Sequence, residues 1–305
     1  MNHLGGILAA AGVDAEVVGD ARKDAFADVQ TATDASTSSL IFFNRPGGQT
    51  LAMLDSTPAR VILLERSWGL KNKEALEGGD KTFFLVDDPR YVIGLILREA
   101  YPEEDVYPEG THPTALVHPE ADIHPSVHIG PCCVVGKCRI GERSRVLSHT
   151  VVGDRVEIGK TVTVRQHCMI GSPGFGIARA SATKGLLRIP HVGRTLIADD
   201  VELFPYVNVD RGTLGDTTIG RGTKIDHYVH IGHNVTIGED CIITARAVFC
   251  GKSSIGSRVW IGAGTIVKEK VHVGDDCLTG LGSVVIRDVA DGETVAGVPA
   301  KPLRR

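Results

Sequence analysis

From Val117 onward, aliphatic side chains recur at every sixth position of the chain. The most regular stretch runs from Ile219 to Val285, and Thr279 is its polar exception. A period of six fits neither the 3.6-residue period of a helix nor the two-residue period of a strand. It is typical of a hexapeptide β-helix, in which three short strands and their turns close one triangular coil and residues about 18 apart stack. The repeat residues are predicted to fill the core, and the glycines that follow many of them to permit tight corners.

The six-residue rhythm is interrupted twice. It stops after Ile170 and resumes at Ile197, and a shorter offset separates Val209 from Ile219. A long interruption in a solenoid leaves the coil on one face, and loops of this kind often shape a binding site. Residues 171–195 are therefore predicted to form an excursion beside such a site.

Residues 1–105 lack the six-residue repeat. Residues 61–64 and 83–86 are continuous apolar runs and are predicted to be buried strands. Asp88 and Pro89 favour the start of a helix, as N-cap and first-turn residue. The chain is predicted to be mainly β, with a small α/β domain over 1–105, a left-handed parallel β-helix over 106–295 and a short C-terminal tail over 296–305.

Composition narrows the classes of function. Hydrophobic residues make up 42% of the chain and charged residues 23%, which is typical of a soluble globular protein, and the net charge of −4 gives no reason to expect nucleic acid as a partner. No apolar stretch is long enough to span a bilayer and no signal peptide is recognisable. The seven cysteines are scattered without a CxxC pair. Reduced thiols, and hence the cytoplasm, are expected.

His233 is the first candidate for chemistry. It occupies the third place of its hexad, outside the inward-facing column, and an imidazole near neutral pH suits general base catalysis. A solvated surface histidine is the alternative. Gly251 follows 18 residues later and is predicted to lie directly over His233, where its N–H could donate to a developing oxyanion.

Several polar residues are expected near His233. Asn234 could orient a ligand or fill a corner, and Lys270, about one coil beyond Gly251, could bind phosphate or remain a solvated lysine. Asp226 and the pair Asp210-Arg211 precede His233 by about one coil or less. A carboxylate there could fix the tautomer of the imidazole, or cap a corner of the backbone.

His227, His230 and His233 are spaced by three, which on a helix would suggest a metal site. On a β-helix His227 and His233 point away on different faces, so zinc would require neighbouring copies to bring such histidines together. No metal is expected.

An ordered series of segments resembles one known family, the UDP-3-O-acylglucosamine N-acyltransferases of lipid A synthesis. The series is specific because the segments follow in order over most of the chain, whereas hexads alone are shared by many transferases. The segments are GSPGFG from Gly171, IPHVGR from Ile189, DDVE from Asp199, DRGTLGDT from Asp210, KID from Lys224 and IGHN from Ile231, with LIFFN from Leu40 and DPR from Asp88 in the N-terminal domain.

The resemblance implies a homotrimer that transfers a 3-hydroxyacyl chain from acyl carrier protein to the amine of a UDP-linked amino sugar, with no bound cofactor. His233 matches the general base of the family and Gly251 the glycine that supports the oxyanion. Phe42 and Asn44 match part of the uridine-binding segment. With Asp226 as a third catalytic residue, we expect the substrate contacts to include Phe42, Asn44, Asn234, Lys270, Asp210 and Arg211.

Three departures from the family pattern leave alternatives open. Lys270 stands where the family has a second histidine, and Gly47 where an aromatic residue helps to sandwich the uracil. In place of the C-terminal helical extension of the family, the ending from Ala296 to Pro302 is similar to coenzyme A-dependent hexapeptide acetyltransferases. A short-chain acyl-coenzyme A donor, a non-catalytic trimer that binds sugar nucleotides, and, more distantly, a metal-dependent hydratase are the alternatives.

Overall fold

The structure is a computed structural model and describes residues 2–101, 110–179 and 185–303. Its contacts divide the chain into two compact units, Met1–Asp105 and Val106–Arg305. Each unit has its own apolar core.

The N-terminal unit is an α/β unit. Its strands are β1 (Asn2–His3), β2 (Glu16–Val18), β3 (Ala25–Phe26), β4 (Asp28–Val29), β5 (Ser39–Phe43), β6 (Val61–Glu65) and β7 (Thr82–Val86), and its helices are α1 (Leu4–Ala10), α2 (Thr50–Ser56), α3 (Arg66–Lys71), α4 (Lys73–Leu76) and α5 (Pro89–Ala100). Five of the strands form a sheet of order β2-β7-β6-β5-β4. Only the β2–β7 pair in this sheet is antiparallel.

The predicted elements of this unit are confirmed. The apolar runs 61–64 and 83–86 lie within β6 and β7 at the centre of the sheet and are buried on both faces. The helix α5 begins at Pro89, and the Asp88 side chain accepts a hydrogen bond from Tyr91 N–H at 2.9 Å, which satisfies a donor of the first turn.

The second unit is a left-handed parallel β-helix with three sheets, one for each side of the coil, as predicted. Sheet I contains His128–Ile129, Arg145–Val146, Thr163–Val164, Glu202–Leu203, Lys224–Ile225, Ile242–Ile243, Trp260–Ile261, Leu278–Thr279, Thr294–Ala296 and Lys301–Pro302. Sheet II contains Leu116–Val117, Val134–Val135, Val151–Val152, Met169–Pro173, Asn208–Arg211, His230–Ile231, Val248–Phe249, Ile266–Val267 and Val284–Val285. Sheet III contains Asp122–Ile123, Arg139–Ile140, Val156–Ile158, Thr195–Ile197, Thr217–Ile219, Thr236–Ile237, Ser254–Ile255 and His272–Val273.

The repeat residues fill the core. Ile219, Ile237 and Ile255 pair in successive strands of sheet III, and all three are buried. Thr279, the polar exception, is buried as well, and its hydroxyl accepts a hydrogen bond from Gly262 N–H at 3.0 Å and meets the Thr265 hydroxyl at 3.0 Å. A polar residue is tolerated at this buried repeat position because its hydroxyl has hydrogen-bond partners.

The glycines that follow repeat residues serve a different purpose from the predicted one. The left-handed corners fall three residues after the repeat residue. Glycine holds this position at Gly222, Gly264 and Gly282, but most corners have other residues, such as Asp240 (φ +52°) and Arg246 (φ +61°). Gly238 lies outside the left-handed region, but a Cβ on it would come within 2.5 Å of the Gly256 carbonyl oxygen in the next coil. Glycine is required there because the coils approach too closely for a side chain.

The excursion leaves the coil intact. Val156–Ile158 pairs directly with Thr195–Ile197, so the winding continues across the intervening residues. Within the excursion, Ile177–Arg179 pairs antiparallel with Leu186–Arg188 as a two-stranded hairpin.

The short C-terminal tail predicted over 296–305 pairs with the β-helix in its described part. Lys301–Pro302 pairs antiparallel with Thr294–Ala296, which is itself a strand of sheet I. The described part of the tail therefore extends the β-helix.

Candidate active site

His233 lies at the corner between sheets II and III. It follows the strand His230–Ile231 and precedes Asn234, whose backbone is left-handed with φ +59°. The side chain is half-buried. Because it lies outside the core column, its ring is available to a ligand.

Gly251 lies against the imidazole, as the stacking of coils predicts. A Cβ on Gly251 would be 2.6 Å from His233 Nε2, and Lys252 N–H donates to the His233 carbonyl oxygen at 2.9 Å. Among the residues that the structure describes, the Gly251 N–H has no hydrogen-bond partner. The site therefore holds a free backbone donor beside Nε2.

The other ring nitrogen is held by an acceptor. His233 Nδ1 lies 3.1 Å from Asn234 Oδ1 and 3.2 Å from the Thr213 hydroxyl. Asn234 Oδ1 also accepts a hydrogen bond from Thr213 N–H at 3.0 Å, which fixes the orientation of the amide. This network assigns the proton of the neutral ring to Nδ1 and leaves Nε2 as the basic nitrogen. Asn234 thus positions His233 in addition to its expected role in contacting ligand.

His191, for which no role was predicted, packs edge-on against His233 with ring centroids 5.0 Å apart. His191 is buried, its Nδ1 lies 3.1 Å from the Ile189 carbonyl oxygen, and its buried Nε2 meets no partner among the described residues. Burial lowers the pKa of His191, and the nearby His233 acts in the same direction. The ring is therefore a neutral wall of the site.

A cleft of about 600 Å³ opens beside His233. Its lining combines apolar side chains of the excursion with polar groups of the corner: Phe175, Gly176, Ile177, Ile189, Thr213, Leu214, Gly215, His233, Asn234 and Lys252. The predicted link between the excursion and the site is thus observed. One lysine is present, but it is Lys252 instead of Lys270.

The stacking explains this difference. Asn234, Lys252 and Lys270 occupy equivalent left-handed corners in successive coils, with φ of +59°, +66° and +64°. Lys270 therefore lies one coil beyond Lys252 and is not among the described residues that line the cleft. Glu269, and not Lys270, continues the column of His233 and Gly251.

The expectation that Asp226 orients His233 is corrected. Its carboxylate instead accepts hydrogen bonds from His227, at 2.6 Å from Nδ1 and 2.7 Å from the backbone N–H, and from Ala245 N–H at 3.1 Å. Burial raises the pKa of Asp226, but these hydrogen bonds outweigh it and the net pKa is lowered. Asp226 lies at the corner between sheets I and II, whereas His233 lies at the corner between sheets II and III. The two residues therefore belong to different corners of the coil.

Asp210 and Arg211 hold the excursion to the coil. Asp210 is buried, and its carboxylate accepts hydrogen bonds from the Ser172 hydroxyl at 2.8 Å and the Asn208 amide at 2.9 Å. Arg211 Nε donates to the Gly171 carbonyl oxygen at 2.7 Å. Neither residue is among those described as lining the cleft, so the structure gives them a bracing role.

Phe42 and Asn44 lie in the N-terminal unit. Phe42 is in β5 with an exposed ring, and Asn44 directly follows the strand. At Gly47 a Cβ would meet nothing within 4 Å, so a larger side chain would find space there.

No cluster of three or more His, Cys, Asp or Glu side chains in residues 2–101, 110–179 and 185–303 is arranged to hold a metal ion. Over the same residues, no helix combines the length and the apolar character needed to cross a membrane.

Comparisons with known proteins agree with this architecture. The family model of bacterial transferase hexapeptide (six repeats) matches residues 216–251. The UDP-3-O-acylglucosamine N-acyltransferase of Caulobacter sp. (strain K31) is 38% identical over 160 residues, which cover 52% of this chain and 45% of the relative. That of Methylobacterium nodulans is 39% identical over 147 residues, covering 48% and 41%. The chain thus spans about half the length of the curated relatives that it matches.

Solved structures show the same fold. UDP-N-acetylglucosamine O-acyltransferase from Moraxella catarrhalis superposes with a TM-score of 0.56 at 27% identity, covering 63% of this chain and 73% of the other. UDP-N-acetylglucosamine acyltransferase from Francisella novicida gives a TM-score of 0.57 at 27% identity, covering 64% and 70%. The family resemblance is confirmed: the chain is a hexapeptide-repeat relative of the UDP-3-O-acylglucosamine N-acyltransferases.

Proposed function

We propose that this protein transfers an acyl group from a thioester to the amine of a UDP-linked amino sugar. The arrangement of His233 carries the proposal, because its Nδ1 is held by Asn234 and Thr213 while its Nε2 faces the Gly251 backbone. The names of the sequence relatives supply the substrate class.

The proposed reaction needs one base and one oxyanion donor. His233 Nε2 accepts a proton from the neutral amine as the nitrogen attacks the thioester carbonyl, and a C–N bond forms. Gly251 N–H donates to the resulting oxyanion. Collapse of this intermediate breaks the C–S bond, and the imidazolium returns its proton to the departing thiolate. No covalent intermediate with the protein is needed.

The cleft suits a substrate with an apolar chain and an anionic group. Phe175, Ile177 and Leu214 offer an apolar wall to the acyl chain, and Lys252 offers a cation to a phosphate. Lys270 occupies the equivalent corner one coil beyond Lys252 and offers a second cation there. On the resemblance, the uridine is assigned to Phe42 and Asn44, the donor to acyl carrier protein carrying a 3-hydroxyacyl chain, the assembly to a homotrimer and the location to the cytoplasm.

Turnover by a His233→Ala variant tests the base. We expect the variant to keep its fold and to lose about 10²- to 10⁴-fold in kcat, the usual scale for removal of a general base. His272→Ala, which alters an exposed histidine on sheet III, is the matched control and should keep full activity. Undiminished turnover by His233→Ala would exclude the proposed role.

The donor is tested separately. UDP-amino sugars are incubated with 3-hydroxyacyl carrier protein in one arm and acetyl-coenzyme A in the other. Transfer only from the carrier protein is the expected result. Transfer only from acetyl-coenzyme A would favour the alternative suggested by the ending at Ala296–Pro302, and retained nucleotide binding without turnover would favour a non-catalytic binding protein.

A further inference from the structure

His191 is the residue of the excursion whose ring reaches the proposed base. It packs edge-on against the His233 ring, with planes inclined by 69°, and it is only 6% exposed. The bonds at His233 Nδ1 come from other residues, and the proposed reaction gives His191 no step. A buried ring in contact with the base therefore stands without a function so far.

The backbone beside His191 is tied to the segment that holds the base. Val192 N–H donates to the Thr213 carbonyl oxygen at 2.9 Å, and the next residue makes a second bond of 2.9 Å to the residue before Thr213. Thr213 is also one of the two groups that hold His233 Nδ1. The segments that carry His191 and Thr213 thus form one hydrogen-bonded unit around the base.

Two kinds of contact fix the ring of His191. Its Nδ1 lies 3.1 Å from the Ile189 carbonyl oxygen, which places a proton on Nδ1 and sets the plane of the ring. Two glycines of the excursion leave room for the opposite edge: a Cβ on Gly174 would be 2.9 Å from Nε2, and one on Gly176 would be 2.7 Å from Cε1. The backbone approaches the ring too closely there for either residue to carry a side chain.

Histidine is a costly residue at this position. Its Nε2 is buried and meets no partner among the residues that the structure describes, and a buried polar atom without a hydrogen bond destabilises a protein. An apolar side chain would fill the same space without that cost. The imidazole of His191 is therefore better explained by its contact with the base than by stability.

The ring of His233 needs more than one restraint. The torsion between Cβ and an imidazole is broad and roughly two-fold, so a half-turn would exchange Nδ1 with Cδ2 and Nε2 with Cε1. The contacts from Asn234 and Thr213 act on Nδ1 alone. Rings that meet edge-to-face attract each other in a preferred arrangement, so His191 adds a second restraint on the rotation.

We propose that His191 is a positioning residue for His233, and that its fixed ring holds the His233 imidazole in the orientation that presents Nε2 to the substrate. Gly174 supports this role, because a Cβ on it would be 2.9 Å from His191 Nε2 and 3.0 Å from His233 Cβ. The excursion thus lies against both rings and aligns the base as well as lining the cleft. This role rests on the proposed function, since it belongs to the same reaction.

Steady-state kinetics measures the effect on turnover. We expect kcat of His191→Ala to fall about tenfold while KM changes less than about twofold, because a misaligned base weakens the chemical step without removing a substrate contact. Gly94→Ala, which adds a methyl group where nothing lies within 4 Å, is the control and should keep both constants. An unchanged kcat for folded His191→Ala, or a loss confined to KM, would overturn the proposal.

Nitrogen NMR of the imidazoles tests the orientation without a substrate. The His233 signals, identified by their loss in His233→Ala, should show a single tautomer with the proton on Nδ1 in the unaltered protein and a mixture of tautomers in His191→Ala. If His191→Ala does not fold, Gly174→Ala tests the same contact, because its methyl group would push the two rings apart. An unchanged single tautomer in the folded variant would contradict the proposal.

The two measurements also separate this role from acyl transfer. A tautomer change in a protein that acylates no amino sugar would support the positioning of His233 and reject the proposed function. Acyl transfer that is lost in His233→Ala but unaffected in folded His191→Ala would support the proposed function and reject the positioning role.

Discussion

The imidazole of His233 depends on two acceptors that come from different parts of the chain. Asn234 is its neighbour in sequence, whereas Thr213 belongs to the offset that precedes Ile219. Both act on Nδ1, so they determine which nitrogen faces the substrate. Their contributions can be separated by substitution.

Thr213→Val removes the hydroxyl at nearly constant volume but keeps the backbone bond to Asn234. We expect kcat to fall about fivefold, the kinetic equivalent of one ordinary hydrogen bond of about 1 kcal/mol. Asn234→Ala should cost more, because it also leaves Thr213 N–H without its acceptor. The kcat pH profiles of both variants check this, with Thr218→Val on sheet III as control. Equal kcat in all three would show that Nδ1 needs no such support.

His191 makes stability depend on pH. Burial lowers its pKa from 6.5, so the unfolded chain takes up a proton before the folded protein does. The stability that the neutral His191 ring contributes is therefore fully present above about pH 6.5. It is lost as the pH falls from there through the lowered folded-state pKa. Thermal unfolding between pH 7.5 and 5 should show this loss, and His191→Gln should reduce it. An unchanged slope in the variant would argue against a buried neutral ring.

The contact between His233 and Gly251 was predictable from sequence because each coil contains about 18 residues, which places residues 18 apart in neighbouring coils. His191 and Thr213 were not, because the excursion and the offset leave that rhythm and no period determines where they return. Asp226 was assigned wrongly for a related reason. Its closeness to His233 in sequence suggested a contact. Asp226 and His233 follow strands of different sheets, however, and so lie at different corners.

At the scale of the element, the six-residue period predicted the coils and their core, and the apolar runs outside it predicted the strands of the α/β unit. It did not predict why glycine follows so many repeat residues. The reason is a distance between neighbouring coils, which the pattern of one hexad does not contain. The corner position itself accepts ordinary side chains, as Asp240 and Arg246 show.

Two substitutions compare the glycine that follows a repeat residue with the residue at the left-handed corner. Gly238→Ala should destabilise the protein by about 1–3 kcal/mol, the usual cost of overpacking, because its Cβ would come within 2.5 Å of the Gly256 carbonyl oxygen. Arg246→Gly should be much milder, since it relieves a left-handed backbone while adding flexibility to the unfolded chain. Urea unfolding compares the two. A larger loss for the arginine variant would place the constraint at the corner instead.

At the scale of the whole molecule, each coil of the β-helix contacts mainly its neighbours, so a terminal coil has one neighbouring coil instead of two. The buried cysteines report on this, because they are distributed along the axis. Burial raises the pKa of Cys168 to about 12 and raises that of Cys241 and Cys277 as well, so these thiols react only when their coils open.

Pulsed alkylation under mildly destabilising conditions should therefore label Cys277, near the C-terminal end, before Cys168 and Cys241 in the middle. Mass spectrometry of the labelled peptides gives the order. Simultaneous labelling of all three would mean that the β-helix opens as a single cooperative unit.

The direct pairing of Val156–Ile158 with Thr195–Ile197 also bears on how such a protein can change over generations. Since the coil closes as though nothing intervened, insertions, deletions or replacements in the hairpin strands leave the winding undisturbed. Phe175, Ile177 and Ile189 can then vary while His233 and Gly251 keep their places. Selection can thus change which ligand the cleft accepts without moving the residues proposed to carry the reaction.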